Sequence, residues 1–397
     1  MKSDNNRKAR ADRVWLTRDD CDIDDFAALV SKKAAKADYP HAYDIVKNVP
    51  VYNSDTVLSA ASDPASRREL MAEWVEVLSD GPGVLVLAGA FADQAPVDAV
   101  TAEFQAMIDE QRKAGTTSGD HFAKPGANDR VWNAIEKLCL RAPKAFAAYY
   151  ANPAIAMVCE AWLGPGYQVT SQVNCVNPGG AAQSAHRDYH LGFQSADVIE
   201  RYPAHVHRLS PVLTLQGAVA HCDMPLESGP TLYLPFSQRY EPGYLATGMA
   251  EFRAYFAEHH VQLPLKKGDA AFFNPALFHG AGDNRSSDIK RMANLLQVSS
   301  AYGRAMESVD RTRMSAALFP ALKSMLAEGA IDEPAACNAI AACAEGYSFP
   351  TNLDRDPPVG GLAPQTQQSL FNQALEEKWE NGRFLHALEE QAAKKLT

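Results

Sequence analysis

The spacing of apolar residues divides the chain into three stretches of different texture. Across residues 65–78, Leu70, Trp74, Val77 and Leu78 share one helical face, and Gly81-Pro82-Gly83 ends the predicted helix before a strand-like run at 84–87. Further helices are predicted over 97–113, 131–140 and 154–163, the last stopped by Gly164-Pro165-Gly166. From Tyr167 the runs shorten: 168–176, 212–220, 231–234, 270–273 and 292–299 are separated by Gly, Pro, Asn and Asp, the rhythm of an antiparallel β core. Beyond Gly303 helical spacing returns over 313–327, 334–344 and 367–395, broken by a Pro/Gly-rich stretch at 354–364. Residues 1–60 show only a weak helical pattern near 24–37. The expected organisation is an N-terminal extension (1–60), a central domain with a helical N-terminal part (61–303), and a C-terminal helical segment packed on the core (304–397).

Composition narrows the function classes. The 397 residues are 46% hydrophobic and 9% aromatic, which excludes a disordered or low-complexity chain. The net charge of −10 argues against nucleic acid or an anionic membrane surface as a partner. Seven scattered cysteines include no Cys-x-x-Cys pair, and they read as packing residues of a reducing compartment. The charged N-terminus lacks the apolar run of a secretion signal, and no stretch reaches the roughly 20 residues of a bilayer span. A cytoplasmic location and a small-molecule substrate are the expectations.

Candidate chemistry gathers in the β core. In Ala185-His186-Arg187-Asp188-Tyr189-His190 an extended backbone projects His186 and Asp188 to the same side, giving two corners of a metal site. The same spacing recurs at His221-Cys222-Asp223, so spacing alone does not choose between the copies. A third ligand is offered by His279, which follows an apolar strand and an Asn-Pro break; two His and one carboxylate form the face that holds non-haem Fe(II). Arg291 shares a strand face with Ala293 and Leu295, and an Arg directed into a core calls for an anion there. Its planar fork suits a carboxylate, so the set describes a site for iron and a dicarboxylate co-substrate.

Three stretches carry a family resemblance: Ser184-Ala185-His186-Arg187-Asp188, then Glu227-Ser228-Gly229-Pro230 through Ser237, then Gly268-Asp269 through His279 to Arg291. In this order, and with the preceding Asn152-Pro153 to Leu163-Gly164-Pro165 helix, the sequence resembles the phytanoyl-CoA dioxygenase family of Fe(II)/2-oxoglutarate oxygenases. The resemblance implies a mainly β core with α additions, a cupin-like double-stranded β-helix (jelly roll) flanked by N- and C-terminal helices, with residues 61–303 as the catalytic domain. It implies Fe(II) on His186, Asp188 and His279, 2-oxoglutarate clamped by Arg291, and O2 as the second co-substrate. It also assigns His221 and Asp223 a structural place outside the metal face.

The implied reaction is hydroxylation or desaturation of an unactivated C–H bond in a small metabolite, with 2-oxoglutarate converted to succinate and CO2. Asp188 stands where the related halogenases carry a small residue, which disfavours halogenation. Two alternatives stay open: a protein side-chain hydroxylase of the same chemistry, and a non-catalytic metal-binding jelly roll. The family's Gly-Ser-Gly after the distal His is Gly280-Ala281-Gly282 here, and a distal loop one residue longer leaves Lys290 as a rival to Arg291. Gln172 and Asn174 either line the co-substrate pocket or face solvent. Tyr189, His190, His121 and Lys124 are the candidates for substrate contact, the last two on a loop that forms either a lid or a plain surface turn. His205-Val206-His207-Arg208 reads as a surface turn. Residues 1–60 and 304–397 exceed what the core needs and are expected to shape the pocket entrance or a homodimer contact.

Overall fold

The computed structural model describes residues 14–116 and 126–396. Eleven strands are found among them: β1 (Asp44–Val46), β2 (Val49–Asn53), β3 (Val84–Ala88), β4 (Asn128–Val131), β5 (Gln168–Val176), β6 (Thr214–Ala220), β7 (Leu232–Leu234), β8 (Val261–Gln262), β9 (Ala270–Phe273), β10 (Phe278–Gly280) and β11 (Arg291–Ser299). Eight form one sheet in the order β1-β2-β3-β9-β6-β11-β5-β4, and three form a second in the order β10-β7-β8. The cavity lies between them, and helices cover the far side of the large sheet. This is the jelly-roll core with flanking helices that the sequence led us to expect.

Side-chain alternation makes the large sheet two-faced. On β5, Val169, Val173 and Cys175 pack into the helical layer, while Gln172 and Asn174 line the cavity. On β11, Met292, Leu296 and Val298 join that layer, and Arg291, Ala293, Leu295 and Gln297 face inward. The register pairs Gln172 with Leu295, Asn174 with Ala293, and Gln297 with Gln216, so residues of three strands meet on one wall. Gly217 on β6 is required by contact: a Cβ there would sit 2.4 Å from the Phe272 ring.

Residues 1–60, expected as an extension outside the core, contain β1 and β2, and β2 pairs in parallel with β3. These strands are three and five residues long, and Pro50 lies inside β2, so no period-two signal announces them. The helix expected over 131–140 is divided into β4 and a helix at Ala134–Arg141. The strand expected from 212 begins at Thr214, because a helix runs over Ala204–Val212; that helix contains His205 and His207, which are therefore not in a turn. The long C-terminal helix is two, Gln367–Glu376 and Asn381–Lys394. Among the described residues no helix is long and apolar enough to cross a membrane, and all seven cysteines are unpaired.

The second His-x-Asp copy belongs to the scaffold. His221 is buried behind the sheet, its Nδ1 2.7 Å from the Thr101 hydroxyl and its Nε2 3.0 Å from the Tyr149 hydroxyl. Asp223 accepts a hydrogen bond from the Lys267 backbone at 2.9 Å. Burial, followed by the positive Lys267, pushes the His221 pKa down to about 3, so the ring stays neutral in the folded protein. The unfolded chain binds that proton near pH 6.5. Stability contributed by neutral His221 is thus complete above pH 6.5 and is lost as pH falls from there towards 3. Urea unfolding should show the parent losing up to about 1.4 kcal/mol per pH unit more than His221→Gln over pH 6–4. Parallel pH profiles for the two proteins would refute this account of the buried ring.

Candidate active site

The extended segment carrying the first two site residues is anchored by the residue between them. Arg187 points away from the cavity, donating from Nη2 to the carbonyls of Ser237 at 2.6 Å and Tyr240 at 2.8 Å. Its guanidinium also lies over the Tyr244 and Phe278 rings, at 5.0 and 5.3 Å. Gly243 leaves room for it, since a Cβ there would fall 2.0 Å from the guanidinium carbon. With Arg187 fixed on one side, alternation turns His186 and Asp188 to the other. His279 joins them because its backbone pairs with His186 in an isolated antiparallel bridge.

Ligand atoms of His186, Asp188 and His279 all lie within 4.8 Å of one another. His186 Nε2 is 3.7 Å from Asp188 Oδ1, and His279 Nε2 is 3.3 Å from Asp188 Oδ2. Each imidazole commits its other nitrogen: Nδ1 of His186 donates to the Ser184 carbonyl at 2.9 Å, and Nδ1 of His279 to the Leu277 carbonyl at 2.8 Å. That turns the Nε2 of each ring towards Asp188, where a cation would meet all three side chains. Burial opposes the charge on Asp188, but the two imidazoles and a hydrogen bond from Gln216 outweigh it, holding the carboxyl well below its usual range. Two imidazoles and one carboxylate, converging from the backbone bridge and the residue beside it, fit a divalent metal of the non-haem iron type.

The three residues open onto a cavity of about 450 Å³, lined also by Arg291, Tyr233, Thr231, Gln172, Asn174, Gln216 and Gln297. Arg291 is 6% exposed, and among the described residues no carboxylate pairs with it. Burial pulls its pKa to about 10, so the guanidinium remains charged at neutral pH. The neighbours that would favour its charge are Cys222, Cys175 and Tyr233, and burial raises the pKa of each. Arg291 is therefore a buried cation that faces the cavity with no carboxylate of the described residues paired to it. Lys290, its rival in sequence, is exposed and does not line the cavity.

Gln172 and Asn174 are wall residues of this cavity and do not face solvent. Arg130 donates from Nη2 to Gln172 Oε1 at 2.7 Å, and Gln172 Nε2 donates to Gln297 Oε1 at 3.0 Å. Asn174 accepts from Asn128 Nδ2 at 3.0 Å. Tyr189 and His190, expected to touch substrate, do not line the cavity. Their backbones are left-handed, with φ of 62° and 42°, which ends the alternation of the metal strand and turns both side chains aside. Tyr189 is buried, and His190 Nδ1 lies 3.0 Å from the Ser210 hydroxyl. His121 and Lys124 lie outside the described residues.

Several cavity residues carried no signal in the sequence. Gln216 contacts Asp188, Tyr233 stands opposite His279 in the β7–β10 pair, and Trp132, Phe193 and Met306 supply apolar surface. A lone Gln or Tyr within a short strand is as often a solvated or core residue as a site residue. Tyr233 alone had a usable cue, since it follows Gly-Pro-Thr in the second motif stretch.

The sequence model of the phytanoyl-CoA dioxygenase (PhyH) family matches residues 68–292. Among curated proteins, the dioxygenase trt7 of Aspergillus terreus is 25% identical over 213 residues, covering 53% of this chain and 67% of the relative. Similar solved structures include AviO1 from Streptomyces viridochromogenes, at TM-score 0.44 and 18% identity over 59% of this chain and 97% of that one. Another is the non-heme alpha ketoglutarate dependent carbocyclase SnoK from nogalamycin biosynthesis, at TM-score 0.43 and 20% identity over 59% and 86%.

Proposed function

We propose, for a chain that belongs to the phytanoyl-CoA dioxygenase family, a division of labour among the residues of its cavity. The protein is an iron- and 2-oxoglutarate-dependent dioxygenase. His186, Asp188 and His279 are the residues that would hold the ferrous ion. Bound there, iron supplies O2 activation coupled to decarboxylation of 2-oxoglutarate. The observation that carries this reading is the convergence of the three side chains with both imidazole Nδ1 atoms committed to backbone carbonyls.

The remaining steps fall to the chain itself. Arg291 receives the distal carboxylate of 2-oxoglutarate as a bidentate partner, which removes the unpaired buried charge. Ala218, Ala220 and Ala293 keep the wall beside it low enough to admit the co-substrate, and Met224, Leu265 and Phe273 exclude water around it. Gln172, Gln216 and Gln297 offer neutral donors and acceptors, while Trp132, Phe193 and Met306 offer apolar surface to a substrate body. A cavity of this size suits a small metabolite, whose C–H bond is hydroxylated or desaturated beside the metal. Asp188 contributes a ligand oxygen where a halide would otherwise need room.

Succinate formation on adding Fe(II), 2-oxoglutarate and a metabolite panel tests the assignment. His186→Ala and His279→Ala should each lower metal-dependent turnover more than about 100-fold, since one ligand of three is lost. Turnover at the parent rate in either variant would sink the metal site. Arg291→Ala should raise the half-saturating 2-oxoglutarate concentration about 10–100-fold, the loss of a charged hydrogen-bonded pair. Lys290→Ala should shift it less than about twofold, as an exposed charge does. The reverse ranking of these two variants would move the clamp to Lys290.

A further inference from the structure

Gln216 faces the cavity from β6, and its Nε2 donates to Oδ2 of Asp188. A carboxylate only accepts, so this contact decides which end of the amide meets it. Oε1 is thereby turned away, buried and without a partner. Leaving a buried carbonyl unsatisfied is unfavourable, and an apolar side chain of the same size would avoid it. An amide retained against that penalty points to a role for its N–H.

Its surroundings allow little freedom. Gln216 is 6% exposed and lies directly opposite Gln297, whose Oε1 is already taken by Gln172. Asp188 belongs to neither sheet; its backbone N–H donates to the Pro275 carbonyl at 3.0 Å on the side of the small sheet. The Gln216 contact therefore spans the cavity, from an interior strand of the large sheet to the carboxylate. Within the triad Oδ2 faces His279 and Oδ1 faces His186.

We propose that Gln216 is the positioning residue of the Asp188 ligand, a claim that rests on the reading of His186, Asp188 and His279 as the iron site. Its N–H occupies one carboxylate oxygen, stops rotation about the Cβ–Cγ bond, and leaves the oxygen nearer His186 to the metal. Without that donor the two oxygens become interchangeable, and the carboxylate must be ordered when the metal binds. Gln216 thus contributes to metal affinity by ordering the carboxylate before the metal arrives. Partners of this kind typically change metal affinity about 10–100-fold when removed.

Calorimetric titration of the metal-free protein with Mn(II) in the presence of 2-oxoglutarate tests this. Gln216→Met is nearly isosteric and lacks the donor; Gln216→Leu is a second apolar variant in case either packs badly. Both should weaken Mn(II) binding about 10–100-fold. The metal-free Tm should change little, because the lost bond to Asp188 is offset by removal of the orphaned carbonyl. The anaerobic Fe(II)–2-oxoglutarate charge-transfer band should shift or broaden in both. Mn(II) affinity within twofold of the parent in Gln216→Met overturns the proposal, and so does a metal-free Tm that falls in step with affinity. Asp188→Ala separates the two levels. Parent-like Mn(II) binding in that variant refutes the iron site itself, whereas lost binding there together with intact binding in Gln216→Met refutes only the role of Gln216.

Discussion

The antiparallel backbone contact between His186 and His279 is the constraint on which the cavity depends, because it brings together two stretches of chain far apart in sequence. His186 N–H donates to the His279 carbonyl at 3.0 Å, and His279 N–H returns a bond to the His186 carbonyl at 3.3 Å. Residues opposed in this way present their side chains to the same face, which sets the two ring centroids 4.4 Å apart. β10 is secured on its other edge by β7, where His279 faces Tyr233. A slip of one residue in β10 would replace the imidazole with Phe278 or Gly280, so the register of a three-residue strand decides whether the ligand set exists.

Two of the charges that line the cavity, Asp188 and Arg291, are treated in opposite ways. Asp188 is surrounded by groups that favour its anion: two imidazoles and an amide N–H. Arg291 has neighbours that burial keeps protonated and neutral. Paired with each other, the two would neutralise one another without a ligand; kept apart, each awaits a partner of its own. Holding an unpaired cation out of water is expensive, of order several kcal/mol. The fold sustains it with a large helical and sheet core on the far side of the same strands. In the reading proposed above, a dicarboxylate entering the cavity would offer one carboxylate to Arg291 and the other to the metal.

Much of this arrangement could be read from the sequence, and the remainder was hidden for identifiable reasons. β5 and β9 were legible to the residue because their apolar runs are bounded by Gly, Pro, Asn or Asp. β1 and β10 are three residues long, too short for alternation to register. β4 reads Asn-Asp-Arg-Val, and its polar residues are buried against partners such as Gln172, Asn174 and Arg112, so no apolar run marked it as a strand. In the candidate site, i and i+2 spacing pointed to His186 and Asp188 and apolar strand partners pointed to Arg291, and the fold brings all three to one cavity. The identical spacing at His221 and Asp223 led elsewhere because Thr101 and Tyr149, distant in sequence, enclose the second imidazole. Tyr189 and His190 were misread because left-handed backbone gives no sign in residue type.

The wall that escaped sequence reading has a chemical logic of its own. A residue that must donate to a metal-binding carboxylate has few acceptable identities. Lys or Arg would neutralise the anion and compete with the cation for it. Glu or Asp would repel it, and Ser or Thr is too short to span from β6. Gln supplies reach and an N–H without net charge. The same reasoning covers Gln172 and Gln297, through which the polarity of Arg130 passes along the wall by neutral amides alone. A cavity wall built this way adds no formal charge to that of Asp188, Arg291 and Arg130. The remaining surface can then recognise a substrate by hydrogen bonds and shape without disturbing the electrostatics at Asp188 or Arg291.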